Sequence, residues 1–168
     1  MPYPAGVAFP VVPITRSALL NGQSNGQLSP GILTTLPGVA GGAPITLIHP
    51  AARAWGAMAA EAAKAGHVLK AGAASNSYRT YAEQERIFRA RYRTAYKANT
   101  DVKVWNGVRW YRWYGATAAV PGTSNHGWAQ AVDGGEERDG DAGAEPFDAA
   151  TLEWLRVNAV RFGWSWEI

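Results

Sequence analysis

Proline and glycine break the first 48 residues too often for a long helix to form there. Pro2, Pro4, Pro10, Pro13, Pro30, Pro37 and Pro44 recur at short intervals. Each fixes φ, removes a backbone donor and clashes with the preceding helical turn. Residues 1–44 therefore read as an irregular leader that wraps a folded body or links to something upstream. Residues 45–168 must supply the fold, and they make one ordinary domain. That domain has no covalent cross-links to lean on, because the 168-residue chain has no cysteine. The same fact excludes thiolate-bound zinc, iron–sulfur clusters and thiol nucleophiles. No apolar run reaches the ~20 residues of a membrane helix, so no membrane partner is expected. The stretch Met1 to Leu20 carries one basic residue, Arg16, placed late. It lacks the basic start and unbroken apolar middle of a signal peptide.

Helices are expected in three places. Pro50 suits a first turn; Ala51, Ala54, Trp55, Met58 and Ala62 follow at three-to-four spacing, and Gly66 suits the stop. Thr80 and Glu83 form a T-x-x-E capping box. The helix it opens is expected to reach about Lys97, with Tyr81, Gln84, Phe88 and Tyr92 along one stripe. Asp148 can cap a last helix carrying Leu152, Leu155, Ala159 and Phe162, ended by Gly163. Strands are expected at Val68–Ala74, at Ala129–Asp133 and from Trp164 to Ile168. A hairpin is expected about Asn106-Gly107, a pair that tolerates the positive φ angles of a type I′ turn. The pattern is α+β: helices packed on a small antiparallel sheet.

Charge is uneven behind a net +3. Lys70 to Arg112 holds ten basic residues against Glu83, Glu85 and Asp101. Asp133 to Glu153 holds eight of the thirteen acids and one base, Arg138. The basic half could meet nucleic acid or an anionic cell wall; equally, it could be a solvated helix face. Arg86 to Trp113 interleaves Tyr, Trp and Arg as a single-strand binder would, yet a hairpin buries one aromatic face just as well. No nucleic-acid partner is expected.

The chemistry-bearing segment is Pro121-Gly122-Thr123-Ser124-Asn125-His126-Gly127-Trp128-Ala129-Gln130-Ala131-Val132-Asp133. One imidazole precedes one carboxylate by seven residues, with small residues between. If Ala129 to Asp133 is a strand, Ala129, Ala131 and Asp133 share a face. His126, in the turn before it, then folds back over that face. An imidazole nitrogen beside a carboxylate oxygen suits zinc. A His–Asp hydrogen bond that merely fixes a turn is the alternative.

Ser124-x-His126-x-x-Ala129-x-Ala131-x-Asp133 resembles the S-x-H-x-x-G-x-A-x-D signature of VanY-like D-alanyl-D-alanine carboxypeptidases and related peptidoglycan peptidases. Ser77-Tyr78-Arg79-Thr80-Tyr81-Ala82-Glu83-Gln84 is similar to that family's G/S-Y-R-S-x-x-x-Q segment. The helix after His49-Pro50 and the Phe162-Gly163-Trp164 stretch match in order, so the resemblance spans roughly residues 45–168. The P-G-T-S-N-H-G-W form looks most like actinobacteriophage lysins.

The resemblance implies a hedgehog/D-Ala-D-Ala-peptidase-like fold and a catalytic Zn2+ held in part by His126 and Asp133. It implies that Arg79 binds the scissile carbonyl as it becomes an oxyanion, and a guanidinium suits that task. Ser124, Gln84 and Tyr78 are implied as substrate contacts, with Trp128 as a wall beside the metal or a core residue. The implied partner is the peptidoglycan stem peptide, cut by a monomeric hydrolase. A lysin made in the cytoplasm and released at lysis, or an extracellular enzyme, would meet that substrate. An inactive cell-wall-binding relative is the competing reading.

Two departures from the family pattern stand out. Ala129 replaces a Gly. The family's E-P-W-H segment, which carries the general base and third ligand, has no counterpart. Glu167 is followed by Ile168, and no His comes after it. The domain is therefore expected to continue past Ile168. His49, at a helix start, and His67, after Gly66, read as surface residues rather than substitutes.

Overall fold

The computed structural model describes residues 16–134, 136–137, 144–145 and 147–165. Leu33–Leu36 (β1) and Ile45–Ile48 (β2) form an antiparallel pair, with Leu33 opposite Ile48 and Leu36 opposite Ile45. β1 lies inside the segment read as an irregular leader; Pro37 and Pro44 confine the chain between the two strands. β2 separates two cores, because its side chains alternate. Ile45 and Leu47 enter the main core, and Ile48 enters a second one with Leu20, Leu28 and Ala129.

His49–Lys64 (α1) begins directly after β2, with Pro in the first turn. It lays Ala52, Trp55, Met58 and Ala62 on the main core beside Leu69, Ala71 and Leu155. Each large side chain buried there contributes about 1.5–3 kcal/mol. The helix closes in a Schellman pattern: His67 N donates to Ala62 O (2.9 Å), Gly66 N donates to Ala63 O (3.0 Å), and Gly66 sits at φ +85°. Val68–Ala74 does not form the expected strand. A single bridge joins Ala71 to Ala43, and Pro44 has no N–H with which to extend the ladder.

Tyr81–Arg91 (α2) is capped by Thr80, whose side chain accepts from Glu83 N. It stops at Arg91, six residues short of Lys97, and Tyr92–Arg93 becomes β3. Val102–Trp105 (β4) and Val108–Arg112 (β5) are the hairpin, with Asn106 at φ +50° and Gly107 at φ +75°. The sheet order is β3-β5-β4, all antiparallel. Pairing of Tyr92 with Arg112 ends the helix. The stripe residue Tyr92 stays buried, stacked on Phe88 with ring centroids 4.6 Å apart. Phe88, Tyr92 and Trp105 make this third core.

Glu136–Glu137 (β6) pairs with Ala144–Glu145 (β7). Asp148 caps Ala149–Asn158 (α3), accepting from Thr151 N at 2.7 Å. A short turn, Ala159–Phe162, leads to Gly163 at φ +76° and to Trp164, edge-on to Trp55 at 5.3 Å. Trp164 and Ser165 are not in a strand, and Glu167 lies outside the described residues. The described fold is α+β: small antiparallel sheets with flanking helices.

Candidate active site

Ser124 starts a short 3-10 turn, Asn125–Trp128, that Ala129 ends in the left-handed conformation at φ +52°. The expected strand over Ala129–Asp133 is therefore absent. The chain is instead fixed by backbone bonds to other segments. Ile48 N donates to Ala129 O (3.0 Å), Arg79 N to His126 O (3.1 Å) and Asp133 N to Asn76 O (2.7 Å). Left-handed backbone at residue 129 accounts for the Gly in the family signature, since Gly adopts it without a Cβ clash.

These bonds bring two side chains to one carboxylate oxygen of a third. Asp133 Oδ2 lies 3.2 Å from His126 Nε2 and 3.4 Å from Arg79 Nη2. The side chains of His126 and Arg79 are only 13% and 18% exposed, whereas that of Asp133 is 51% exposed. The carboxylate thus meets two mostly buried partners while about half of its own side chain remains exposed. His126 Nδ1 lies 2.9 Å from the Ser77 carbonyl, and Arg79 donates to the Ser75 carbonyl through Nε and Nη2. Arg79 Nη1 has no hydrogen-bond partner among the described residues. Burial alone would raise the Asp133 carboxyl, but the His126 bond and the His126 and Arg79 charges hold it below the usual carboxylate range. Burial draws the Arg79 guanidinium below its usual value, against the opposing pull of Asp133.

The donor pair has the spacing of two zinc ligands. Two ligands bound at 2.0–2.1 Å in a tetrahedral shell sit about 3.3 Å apart, close to the 3.2 Å between His126 Nε2 and Asp133 Oδ2. A backbone carbonyl on Nδ1 is the usual outer partner of a metal-binding histidine. The two residues fit zinc as two of its ligands. Among the described residues no group of three or more His, Asp or Glu surrounds one point, so a third ligand is not supplied there.

The profile of the VanY family, described as D-alanyl-D-alanine carboxypeptidase, matches residues 44–167. The chain belongs to the VanY family. That family comprises D-alanyl-D-alanine carboxypeptidase-like peptidases of peptidoglycan. No curated protein and no solved structure matched the chain.

The other residues singled out in this VanY chain divide into two groups. Ser124 shares a small cleft with Arg79, lined also by Ile87, Ala118 and Ala119. Gln84 borders the same cleft but is 3% exposed, and its amide is spent internally. It donates to Asn25 Oδ1 (3.0 Å) and Arg79 O (3.1 Å) and accepts from Gly122 N (2.9 Å). Tyr78 accepts from Leu28 N at 3.0 Å, and its ring packs on the Leu20 core. Trp128 packs on the same core beneath Arg16, 4.6 Å from its ring centroid. Gln84, Tyr78 and Trp128 were implied as substrate contacts, Trp128 alternatively as a core residue; in the structure each has internal partners, and Tyr78 and Trp128 are half-buried.

His49 and His67 stand apart from this site. His49 bridges Thr34 Oγ1 (2.7 Å) and Gly31 O (2.9 Å), and His67 contacts Thr151 Oγ1 (3.1 Å). Both are half-buried braces rather than solvated surface residues. The sequence reading missed Asn25. It is 7% exposed and donates to Ser124 O at 2.8 Å. No spacing marks it, because its partners lie far along the chain. Ser77 was read only as part of the S-Y-R motif, yet its carbonyl orients the histidine.

Proposed function

We propose that this chain is a zinc-dependent peptidoglycan peptidase, a D-alanyl-D-alanine carboxypeptidase or stem-peptide endopeptidase. The observation that carries the reading is the meeting of His126 Nε2, Arg79 Nη2 and the half-exposed Asp133 Oδ2. His126 and Asp133 would hold the metal, which supplies Lewis acidity when bound. The Ser77 carbonyl accepts a hydrogen bond from His126 Nδ1, which leaves Nε2 as the ring nitrogen that would face the metal. Arg79 is clamped on Ser75, so its charge is aimed before substrate arrives; a fixed donor stabilises developing negative charge on a carbonyl oxygen at little reorganisation cost. Ile87, Ala118 and Ala119 line the small adjacent cleft beside Arg79 and Ser124.

A role in cell-wall lysis as a phage lysin, made in the cytoplasm and acting on the wall, goes with this reading. The P-G-T-S-N-H-G-W segment supports it. The second reading, an inactive wall-binding relative, is favoured by the lack of a three-residue ligand cluster among the described residues.

The experiment is to incubate the full chain with zinc and a stem peptide ending in D-Ala-D-Ala, then follow products by mass spectrometry and zinc by elemental analysis. Stoichiometric zinc with a cleaved peptide supports the enzyme. Peptide binding without zinc or cleavage supports the binder. Neither result would remove both readings.

A further inference from the structure

The β3-β5-β4 sheet carries charge that the candidate active site does not use. Between Arg89 and Tyr114 the sequence holds seven basic residues and one acid, Asp101. That acid is taken up by Tyr92, Thr117 and Lys103. Arg93, Lys97, Arg109 and Arg112 pair with no carboxylate among the described residues. A cleft of about 270 Å³ opens between residues 97–100 and 112–115, lined by Lys97, Asn99, Thr100, Arg112, Trp113 and Tyr114. No acid lines it. Thr100 donates to Arg112 O (2.7 Å), Lys97 donates to Trp113 O (3.2 Å), and Trp113 Nε1 donates to Ala95 O (3.1 Å). The cleft is therefore braced by its own backbone rather than by an anion of the chain.

We propose that this sheet binds a phosphodiester-bearing anionic polymer of the cell wall, with one phosphate seated between Lys97 and Arg112. Charge complementarity calls for a polyanion, and the rings decide which kind. A single-stranded nucleic acid needs a row of open aromatic faces on which bases stack. Here Trp105 and Trp110 pack on Phe88 and beneath Arg89, and Lys97 lies over the ring of Trp113. Tyr96 and Tyr114 are the well-exposed rings, at 74% and 59%. Tyr114 carries Arg93 over its ring, and Tyr96 meets Tyr111 edge-on. A flexible polyol phosphate needs cations without stacking, and this surface provides them. The choice of a wall polymer rests on the peptidoglycan-directed family and not on whether the chain is active.

The test is co-sedimentation of the full chain with wall sacculi that carry phosphodiester polymers, and with the same sacculi after hydrofluoric acid has removed them. Stripping should weaken binding about tenfold or more, and log affinity should fall linearly with log salt. Lys97→Ser with Arg112→Ser should reduce binding to the stripped level and lower the salt slope by about two. Arg109→Ser, on the exposed hairpin, should give a smaller loss of the same kind and guards against a misfolded double variant. Binding to the phosphodiester polymer released from the wall, which carries no stem peptide, should show the same loss in the Lys97→Ser, Arg112→Ser variant whether or not the chain cleaves peptide, which separates this inference from the peptidase reading. Equal binding to intact and stripped walls would overturn it. So would tighter binding to single-stranded DNA than to the polymer at equal charge.

Discussion

His126 Nδ1 lies 2.9 Å from the backbone carbonyl of Ser77, and that bond decides what the other ring nitrogen can do. A carbonyl oxygen only accepts, so Nδ1 carries a proton. Nε2 then faces Asp133 Oδ2 at 3.2 Å, and an ionised carboxylate also only accepts. Two states satisfy both contacts: a doubly protonated imidazolium, or a neutral ring with a cation between Nε2 and Oδ2. The second is a metal site with its outer partner already in place.

Zinc binding separates those states. Calorimetry on the full chain at neutral pH should give one zinc per chain. His126→Ala should weaken binding by more than about 100-fold, beyond what loss of an outer partner alone costs. Unchanged zinc affinity in His126→Ala would leave the His–Asp pair as a turn-fixing contact.

Arg79→Lys keeps the charge and loses the fork. The guanidinium uses two nitrogens on Ser75 O and one of them on Asp133, a geometry that a single ammonium cannot reproduce. Turnover of the stem peptide should fall about 10²–10³-fold, in the range for loss of an oxyanion donor. Unfolding free energy should drop by only about 1 kcal/mol, the worth of one hydrogen bond. A loss of several kcal/mol with no matching loss of turnover would make Arg79 a structural brace.

Asp101 gives the fold a defined acid limit. Burial alone would raise its carboxyl, but the hydroxyls of Tyr92 and Thr117 and the Lys103 ammonium hold it below the usual range. A depressed folded-state pKa adds stability above the unfolded value, about 3.9, and loses it as pH falls through the folded value. Urea unfolding of the wild type and Asp101→Asn should differ by a constant amount above about pH 5. The gap should narrow below about pH 4 as the unfolded carboxyl takes up its proton. A gap that does not change from pH 3 to 7 would mean that the carboxylate charge is not what matters.

How much of this was legible depended on the range of the interactions. The caps at Thr80 and Asp148 and the Asn106-Gly107 turn were readable because each is settled within four residues. The end of α2 was not, because the Tyr81–Tyr92 stripe continues smoothly while Arg112 pairs with Tyr92 from the far side of the hairpin. Small residues alternating over Ala129–Asp133 look like a strand. Ile48 and Asn76, both remote in sequence, instead take the backbone bonds that fix the segment. His126 and Asp133 were visible from their spacing, and Arg79 from the resemblance alone. Asn25, which holds Ser124 from within the supposed leader, had no local signal at all.

Gly127 is where that remote contact can be tested. A Cβ there would lie 1.9 Å from Asn25 Oδ1 and 2.5 Å from Gln84 Nε2. Neither side chain can swing away freely, because both are buried and bonded to each other and to the chain on either side of the turn. Gly127→Ala should therefore break the Asn25–Gln84 bond or displace the 3-10 turn, costing about 2–4 kcal/mol from overpacking and lost hydrogen bonding. Asn25→Ala removes the obstructing amide and should itself cost about 1–3 kcal/mol, since Gln84 and Ser124 O lose a buried partner. In the double variant the new methyl occupies the space the amide left, so the two costs should not add. A thermodynamic cycle from urea unfolding should show a coupling of at least about 1 kcal/mol in favour of the pair. Strict additivity would mean that the leader does not brace the His126 turn.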